Sequence, residues 1–373
     1  MKFDVSSNAL LNRLQSISKV IASKNTLPVL DSFLFSLEDS KLTIVASDME
    51  TRLVTSVDVM NTQGSGLFAI SAKMLLESLR KVPEQPLTFD INDENMEVFI
   101  YYENGKYNFI GQNGDTYPQH KQLNENAMTF TVESEVLLNG VSRTLFATAD
   151  DELRPVMNGI YFDIQTDHII FVASDGHKLV RMRHNAVKSE GRASFILPKK
   201  PAFLLKTLLA KTSETVKVQF DENNAYLTAG HFEMTCRLIE GRYPNYNSVI
   251  PENNPNEVTI DRLALNSGLE RVVVFSNQAS NLIKLQLEED MIIVSAQDID
   301  FSTSAEEKIA CRYSGTNFSI GFKATFLIEM LSNFSAEEIV LKLADPSRAC
   351  VIVPVEDEED EKLLMLIMPM VLD

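Results

Sequence analysis

Two hydrophobic spacings alternate along the chain. Residues 9–21 place leucine and isoleucine three or four positions apart, which predicts an amphipathic helix. The segments at 33–48 and 87–102 alternate apolar and polar residues around Asp, Ser and Asn, which is typical of β-hairpins. Helix-type segments occupy residues 7–24, 72–81, 137–149, 199–211, 261–277 and 323–334. The order of the patterns predicts one strand, one helix and further strands, repeated six times.

The whole pattern recurs three times. FDVSSNALLNRL begins at Phe3, FTVESEVLLNGV at Phe130 and VTIDRLALNSGL at Val258. VASD occurs twice and VSAQD follows in register, ending at Asp48, Asp175 and Asp298. DTYP, GRYP and LIMP end the three copies, and all these matches lie roughly 125 residues apart. The repeats predict three domains, at residues 1–125, 126–253 and 254–373, each made of two similar halves.

Composition excludes several classes of protein. The chain has 373 residues, of which 45% are hydrophobic and 23% charged, so it has enough apolar material for a sizeable core. The longest apolar run, 363–372, is too short to span a membrane and is interrupted by Pro369. The N-terminus MKFDVSSN lacks the apolar region of a secretory signal. Three widely spaced cysteines without a CxxC motif favour a reducing cytoplasm over a disulfide framework or a zinc site.

Charge is distributed unevenly. The chain has 52 acidic and 34 basic residues, a net charge of −18, yet the helices at 7–24, 72–81 and 199–211 carry net positive charge. Lys73, Lys200 and Lys323 fall at one predicted equivalent position. A basic helical face attracts phosphate without reading base sequence, whereas an acidic exterior repels nucleic acid. The alternative is that these lysines only solvate helix surfaces.

No catalytic motif occurs in the chain. P-loop, GxGxxG, GxSxG and HExxH patterns are absent. Asp175 and His177 form a candidate acid/base pair, and Asp298 and Asp300 a candidate metal pair, but both pairs are more typical of turns. We therefore predict a protein that is not an enzyme and that has no metal or cofactor.

Six short motifs add to the repeat pattern. With them, the chain resembles the bacterial DNA polymerase III beta subunit family, the sliding clamps, over its whole length. The resemblance implies an α+β fold of three tandem clamp repeats, each of two βαβββ-type halves, with strands outside and helices lining a ring. The motifs are TLPVL (26–30), NGIYF (158–162), ASDGHKL (173–179), EGRYPNY (240–246), SNQ (276–278) and MPM (368–370).

The resemblance implies a non-catalytic processivity factor. Such a protein is a head-to-tail homodimeric ring that encircles double-stranded DNA, slides on it and tethers replication and repair proteins. Helices pack about 10 Å apart, so six in a circle leave a bore of about 9 Å. Twelve leave about 28 Å, which admits a duplex roughly 20 Å across. The helix count is therefore consistent with two chains in one ring.

The resemblance also implies three sets of functional residues. DNA contacts map to Lys24, Lys73, Arg80, Lys199 and Lys200, and the dimer interface maps to Tyr107, Phe109, Val274 and Phe275. Expected partners are the DNA polymerase III alpha subunit, the clamp-loader complex, and other polymerases and repair proteins that carry short hydrophobic peptides. The pocket for those peptides maps to Arg154, Val156, Met157, Ser174, Gly176, His177, Lys178, Leu179, Pro244, Val249, Ser347, Ala349, Leu366, Met368, Pro369 and Met370.

The chain departs from the family pattern at a few positions. Pro155 precedes Val156 where aromatic residues are common, Asn247 and Ser248 replace a basic pair, and Val371 replaces a basic residue. These changes bear on which peptides bind best. Two alternatives remain open: a protein-binding repeat scaffold that never encloses DNA, and a hydrolase that uses Asp175 and His177. The sequence leaves the dimer affinity and the loader's identity undetermined.

Overall fold

The computed structural model describes residues 1–119, 122–185, 187, 189 and 191–372. His120 and Lys121, which lie between the DTYP motif and the start of the second repeat, are outside the described residues. The first third contains β1 (Lys2–Ser6), α1 (Ser7–Ile17), β2 (Ser32–Glu38), β3 (Lys41–Ser47), β4 (Thr51–Asp58), β5 (Met60–Gln63), β6 (Gly66–Ser71), α2 (Ala72–Leu79), β7 (Pro86–Ile91), β8 (Glu97–Tyr102), β9 (Gly105–Ile110) and β10 (Gln112–Asn113).

The other two thirds repeat this order. The second contains β11 (Met128–Glu133), α3 (Ser134–Thr144), β12 (Gly159–Ile164), β13 (Ile169–Ser174), β14 (Lys178–His184), β15 (Ala193–Pro198), α4 (Lys199–Leu209), β16 (Thr215–Phe220), β17 (Asn224–Ala229) and β18 (Phe232–Arg237). The third contains β19 (Asn256–Asp261), α5 (Arg262–Val273), β20 (Leu282–Glu288), β21 (Met291–Asp298), β22 (Thr303–Ala310), β23 (Phe318–Lys323), α6 (Ala324–Ser332), β24 (Glu338–Leu343), β25 (Cys350–Pro354) and β26 (Glu361–Ile367). Apart from the short additions β5 and β10, the predicted βαβββ half is confirmed six times.

Helix boundaries follow local capping. The hydroxyl of Ser6 accepts a hydrogen bond from the amide of Ala9 at the start of α1, and the Asp261 carboxylate caps α5 in the same way. α1 ends at Ile17, earlier than the pattern predicts, and continues as a 3₁₀ turn over Ser18–Val20. The Ser18 hydroxyl donates to the carbonyl of Gln15, which competes with helical hydrogen bonding there.

The chain forms two compact units. Unit 1 comprises Met1–Leu138 and Phe203–Leu238, and unit 2 comprises Asn139–Ala202 and Ile239–Asp373. Unit 1 holds a five-stranded sheet in the order β5-β1-β7-β8-β9 and a nine-stranded sheet, β10-β6-β2-β3-β4-β18-β17-β16-β11. Unit 2 holds an eight-stranded sheet, β15-β12-β13-β14-β26-β25-β24-β19, and a four-stranded sheet, β22-β21-β20-β23. Strands of the second third thus occur in both units.

Each large sheet joins strands of two successive repeats by the same rule. In unit 1, β4 pairs antiparallel with β18, and Leu53 lies opposite Met234. In unit 2, β14 pairs antiparallel with β26, and Val180 lies opposite Met365. In both cases the last strand of a first half meets the last strand of the next repeat's second half. The strands that this rule leaves over, β9 and β22, form edges of the two smaller sheets.

The helices bury their apolar faces against these sheets. Leu10 and Leu14 of α1 are fully buried in unit 1. In unit 2, Leu265 and Leu269 of α5 join one core cluster with Leu327 of α6. Within the described ranges, no helix is long and apolar enough to cross a membrane.

Candidate partner-binding and DNA-binding surfaces

The repeated aspartate closes a turn in every copy. One oxygen of Asp175 accepts hydrogen bonds from the amides of His177 and Lys178, at 2.8 and 2.9 Å. Asp298 caps its own turn through the amides of Asp300 and Phe301. These bonds account for the carboxylates structurally and give no support to an acid/base pair or a metal pair. Among the described residues, no three His, Cys, Asp or Glu side chains form a cluster able to hold a metal.

An apolar cluster in unit 2 unites several predicted pocket residues. Leu179 of β14 lies directly opposite Leu366 of β26. Both side chains are buried in a cluster with Ala349 and Tyr243, and Val156 packs against it. Segments almost 200 residues apart in sequence therefore meet here, as the resemblance implies.

The C-terminal segment continues from Leu366 of this cluster. The amide of Met368 donates to the carbonyl of His177 at 2.8 Å, and the amide of Met370 donates to the carbonyl of Gly321 at 2.8 Å. The side chains of Met368 and Val249 are exposed, and Pro369 and Met370 are half-buried. These four apolar side chains are therefore at least partly accessible to solvent.

Three further predicted pocket residues are also buried, namely Met157, Ser174 and Lys178. Met157 and Ser174 belong to the interior, and the Ser174 hydroxyl donates to the carbonyl of Lys178 at 2.8 Å. The ammonium group of Lys178 lies 3.1 Å from the Glu329 carboxylate and 4.3 Å from the centre of the Phe326 ring. Its side chain is thus held against α6.

Arg154 and Gly176 meet at the edge of the Asp175 turn. The Arg154 guanidinium contacts the Asp151 carboxylate at 2.7 Å and the carbonyl of Asp175 at 3.3 Å. The hydrogen bond from Arg154 lowers the pKa of Asp151. Gly176 has φ +91°, and a Cβ there would lie 2.8 Å from a guanidinium nitrogen of Arg154. Only glycine combines this backbone conformation with that close approach.

A polar cavity in unit 2 brings two predicted sites together. It has a volume of about 430 Å³, and Arg154, His177, Lys178 and Lys199 all contribute to its lining. Lys199, a predicted DNA contact, donates to the Asp150 carboxylate at 2.5 Å. The sequence motifs assign Lys199 and the other three residues to different functions, whereas the fold places them around one cavity.

The remaining pocket positions and the departures from the family pattern lie at the surface. Pro244 and Ser347 are exposed, and the Ser347 hydroxyl donates to the Asp345 carboxylate. Asn247 accepts a hydrogen bond from Arg181 at 3.3 Å. Pro155, Ser248 and Val371 are also exposed.

Stacked tyrosines are a feature of this site that the sequence interpretation missed. Tyr161 stacks on Tyr243 with ring centres 4.8 Å apart and lies close to Tyr246. The Tyr246 hydroxyl donates to the Asp163 carboxylate at 2.8 Å, and burial, with this carboxylate, raises the pKa of Tyr246. The EGRYPNY motif contains two of the three rings, so the signal was present in the sequence.

Unit 1 contains a repeat-related cleft. A cavity of about 480 Å³ is bounded by the turn that follows β3 and by the end of β18. The amide of Arg237 donates to the carbonyl of Glu50 at 2.9 Å, as that of Met368 does to His177 in unit 2. The cavity is lined by Ser47, Asp48, Met49, Glu50, Pro118, Gln119, Asn223, Asn224 and Arg237.

The predicted DNA contacts occupy helix starts, a helix end and a loop. Lys73 is the second residue of α2, Lys199 and Lys200 begin α4, and Arg80 follows α2 directly. Lys24 lies in the loop after α1.

The predicted equivalence of Lys323 with Lys73 and Lys200 is wrong. Lys323 pairs with Leu282 at the end of β23, just as Pro198 pairs with Gly159 at the end of β15. Lys323 therefore precedes α6, two positions before the site that Lys200 occupies in α4.

The predicted interface residues differ in exposure. Tyr107 is half-buried on β9, and Phe109 is buried, with only 6% of its surface exposed. Val274 and Phe275 follow α5 and are exposed at 76% and 40%.

Comparisons with known proteins identify the fold. Models of the DNA polymerase III beta subunit match in order: the N-terminal domain over residues 1–121, the central domain over 131–245 and the C-terminal domain over 247–371. A beta sliding clamp from Pseudomonas aeruginosa is 27% identical, covering 98% of this chain and 99% of its own. One from Escherichia coli is 26% identical, covering 99% and 100%.

Solved structures give the same result. A P. aeruginosa sliding clamp bound to griselimycin superposes with a TM-score of 0.94 at 25% identity, covering both chains fully. A DNA polymerase III beta subunit from Thermotoga maritima gives 0.91 at 25% identity, again with full coverage. Because all three domain models match in order along nearly the whole sequence, the chain belongs to the bacterial DNA polymerase III beta subunit family of sliding clamps.

Proposed function

We propose that the chain forms a homodimeric ring that encircles duplex DNA, slides on it and tethers polymerases, without catalytic activity. The observation that carries the proposal is the recurring strand junction, which leaves β9 of the first repeat and β22 of the third without a junction partner among the described residues. The relatives named beta sliding clamps support the same assignment. Six βαβββ halves and the three matched ranges support domains at 1–125, 126–253 and 254–373.

Ring closure follows from extending the junction rule. By that rule, β22 pairs antiparallel with β9 of the partner subunit, because β22 ends a first half and β9 ends a second half. The five-stranded and four-stranded sheets then merge into nine strands, the size of the large sheet in unit 1. Unlike ends joined twice give a closed head-to-tail dimer.

The internal junctions also supply the register of this pairing. Ala305 of β22 is equivalent to Leu53 and Val180. Its ladder partner on β21, Ala296, occupies the same repeat position as the ladder partners of Leu53 on β3 and of Val180 on β13. Tyr107 is equivalent to Met234 and Met365 by the same comparison across β8, β17 and β25. Ala305 therefore faces the partner's Tyr107, and Glu306 faces the partner's Lys106.

Helix-end contacts would complete the interface. Val274 and Phe275 extend apolar surface from the end of α5, and Tyr107 presents a half-buried ring on β9. We propose that these three side chains pack together across the boundary. Phe109 is already covered within its own unit, so it contributes support beneath Tyr107 rather than a free anchor.

DNA binding is proposed for Lys24, Lys73, Arg80, Lys199 and Lys200. Cations in the first turn of a helix oppose the helix dipole at a cost of about 0.3–1 kcal/mol each. Lys73, Lys199 and Lys200 occupy such positions in α2 and α4, and neither helix has an acidic residue there. Bound phosphate would reverse this penalty, since it is attracted both to the lysines and to the helix N-terminus.

Partner binding is proposed for the surface around Leu179 and Leu366. The accessible side chains of Val249 and Met368 would receive the apolar ends of a peptide, and methionine adapts to peptides of different shape. The proposed partners are the polymerase III alpha subunit, the clamp loader, and other polymerases and repair proteins. The relative that binds griselimycin supports a ligand site on this fold. A cytoplasmic location is part of the same proposal.

Retention on DNA tests the proposal. Loaded protein should remain on closed circular DNA at high salt and leave linear DNA through its ends, and sedimentation should give twice the chain mass. A monomer at micromolar concentration, or equal loss from both DNA forms, would favour a repeat scaffold that never encloses DNA.

A further inference from the structure

The turn after β21 differs from its two counterparts in length and polarity. The equivalent turns over 48–51 and 175–178 are two residues shorter between matched ladder positions. The longer turn presents Ile299 and Phe301 to solvent, with 80% and 78% of their surfaces exposed. Turn residues are usually small or polar, so two large apolar side chains at one tip need a separate explanation.

The open edge of β9 carries a third exposed apolar side chain. Ile110 is 72% exposed at the end of the strand. The amide of the next residue, Gly111, donates to the carbonyl of Met96 on the β8 side. Because successive amides of a strand point to opposite sides, the amide of Ile110 faces the open edge.

The two internal junctions indicate what meets this amide. Ile110 lies three residues beyond Tyr107, and the equivalent residues are Arg237 and Met368. Both of these donate their amides to a carbonyl in the turn of the facing strand, Glu50 or His177. In the register given above, the corresponding carbonyl is that of Ser302, which follows Phe301 directly.

We infer that Ile299 and Phe301 pack against Ile110 of the partner subunit. They thereby fill the cleft at the junction between subunits, which is the counterpart of the apolar cleft in unit 2 and the polar cleft in unit 1. The occupant is a second copy of this chain, because the contact continues the strand pairing of the proposed interface. The inference rests on the homodimer proposed above.

Fluorescence tests this contact directly, because the chain contains no tryptophan. Phe301→Trp keeps an aromatic side chain at the tip and introduces a single indole. Its emission should shift to the blue, and acrylamide quenching should fall several-fold, as the protein is concentrated from monomer to dimer. Met49→Trp is the matched control, since Met49 lies at the tip of the equivalent turn, is 63% exposed and belongs to a junction within the chain. Its quenching should not change with concentration.

A second variant measures the energetic contribution. Ile299→Ser combined with Phe301→Ser should raise the dimer dissociation constant by about 10- to 100-fold in sedimentation experiments. An unchanged thermal unfolding midpoint at concentrations where both proteins are monomeric would exclude misfolding. If the wild-type protein dimerises while the indole of Phe301→Trp stays equally quenched and the double variant dimerises normally, the contact is wrong and the homodimer stands. If the wild-type protein never dimerises, the proposed ring itself fails.

Discussion

Two clefts of this molecule share one backbone plan but differ in chemistry. In unit 1 the Ser47 hydroxyl donates to the carbonyl of Thr51, and in unit 2 the Ser174 hydroxyl donates to that of Lys178. Tyr117 and Tyr243 are buried beside these serines, and burial raises the pKa of both phenols, that of Tyr117 to about 12. The framework is therefore the same at both junctions.

The side chains around the framework are different. Where unit 2 has leucine at 179 and 366, unit 1 has Arg52 and Thr235 at the matching ladder positions. Methionine at 368 corresponds to Arg237, and alanine at 349 to Asn224. Strand pairing thus builds a cleft at both junctions within the chain, and a few lining residues decide whether that cleft is polar or apolar.

Removing the C-terminal segment from residue 368 should produce the largest change. It deletes Met368 and Met370, and with them the backbone bonds to His177 and Gly321. We expect affinity for a synthetic peptide with leucine and phenylalanine ends to fall more than 100-fold in fluorescence anisotropy, because the apolar wall is lost. Dimer formation and retention on circular DNA should persist. Arg237→Ala, the matched change in unit 1, should leave peptide affinity unaltered, and a loss there would contradict the distinction between the clefts.

Exchanging one lining residue should sharpen the comparison. Leu366→Thr gives unit 2 the residue that unit 1 has at position 235. Peptide affinity should decrease about 10- to 30-fold, since a whole buried leucine side chain contributes roughly 1.5–3 kcal/mol and threonine keeps one of its methyl groups. Isothermal titration measures this change, and the reciprocal Thr235→Leu should keep one peptide per chain with wild-type affinity. Equal affinity for Leu366→Thr and wild type would place the peptide elsewhere.

A charge exchange extends the comparison to the third junction. Lys106→Glu should place like charges opposite each other at Glu306 and raise the dimer dissociation constant about 3- to 10-fold at low salt. Adding Glu306→Lys should restore dimerisation, because the pair is then reversed. The double variant distinguishes an effect of this residue pairing from an effect of the charge change alone. If it dimerises no better than Lys106→Glu, the proposed register is wrong.

The smallest expected effect concerns Lys199, the first residue of α4. The equivalent first residue of α2 in unit 1 is Ala72. Asp150→Asn should release Lys199 from its ion pair and strengthen DNA loading about 2- to 3-fold at low salt. The slope of the logarithm of the binding constant against the logarithm of the salt concentration should steepen by no more than about 0.9, the value for one phosphate contact. Asp151→Asn is the control, since Asp151 pairs with Arg154 instead.

Periodic features of the chain were predictable from the sequence, whereas features set by strand register were not. The six helices, the paired halves and the three aspartate turns all follow from local patterns. The alignment of LIMP with DTYP and GRYP was wrong. The strand ladders make Ile367 equivalent to Cys236. Pro369 follows Ile367 by two residues, whereas Pro244 follows Cys236 by eight, so the two prolines are not equivalent. Such an offset leaves composition and spacing almost unchanged, so only the strand pairing reveals it.

The orientation of the Lys178 side chain was also not predictable from the sequence. The ASDGHKL motif correctly locates a turn beside the cleft, but β-strand alternation sends Leu179 to one face of the sheet and Lys178 to the other. The partners that hold the ammonium group, Glu329 and Phe326, come from a helix about 150 residues later in the chain. No local pattern links them.

The aspartate-capped turn has a consequence for how such a molecule diversifies. Asp48, Asp175 and Asp298 each satisfy the amides of their own turn, so every loop is folded by residues it carries itself. The exposed side chains between these anchors, among them Met49, His177 and Ile299, are consequently free to vary without disturbing the neighbouring strands. In a chain of three repeats, the residues of one junction can therefore change to bind a new ligand while the other two junctions keep theirs. Each repeat can thus evolve separately as well as fold by the same plan.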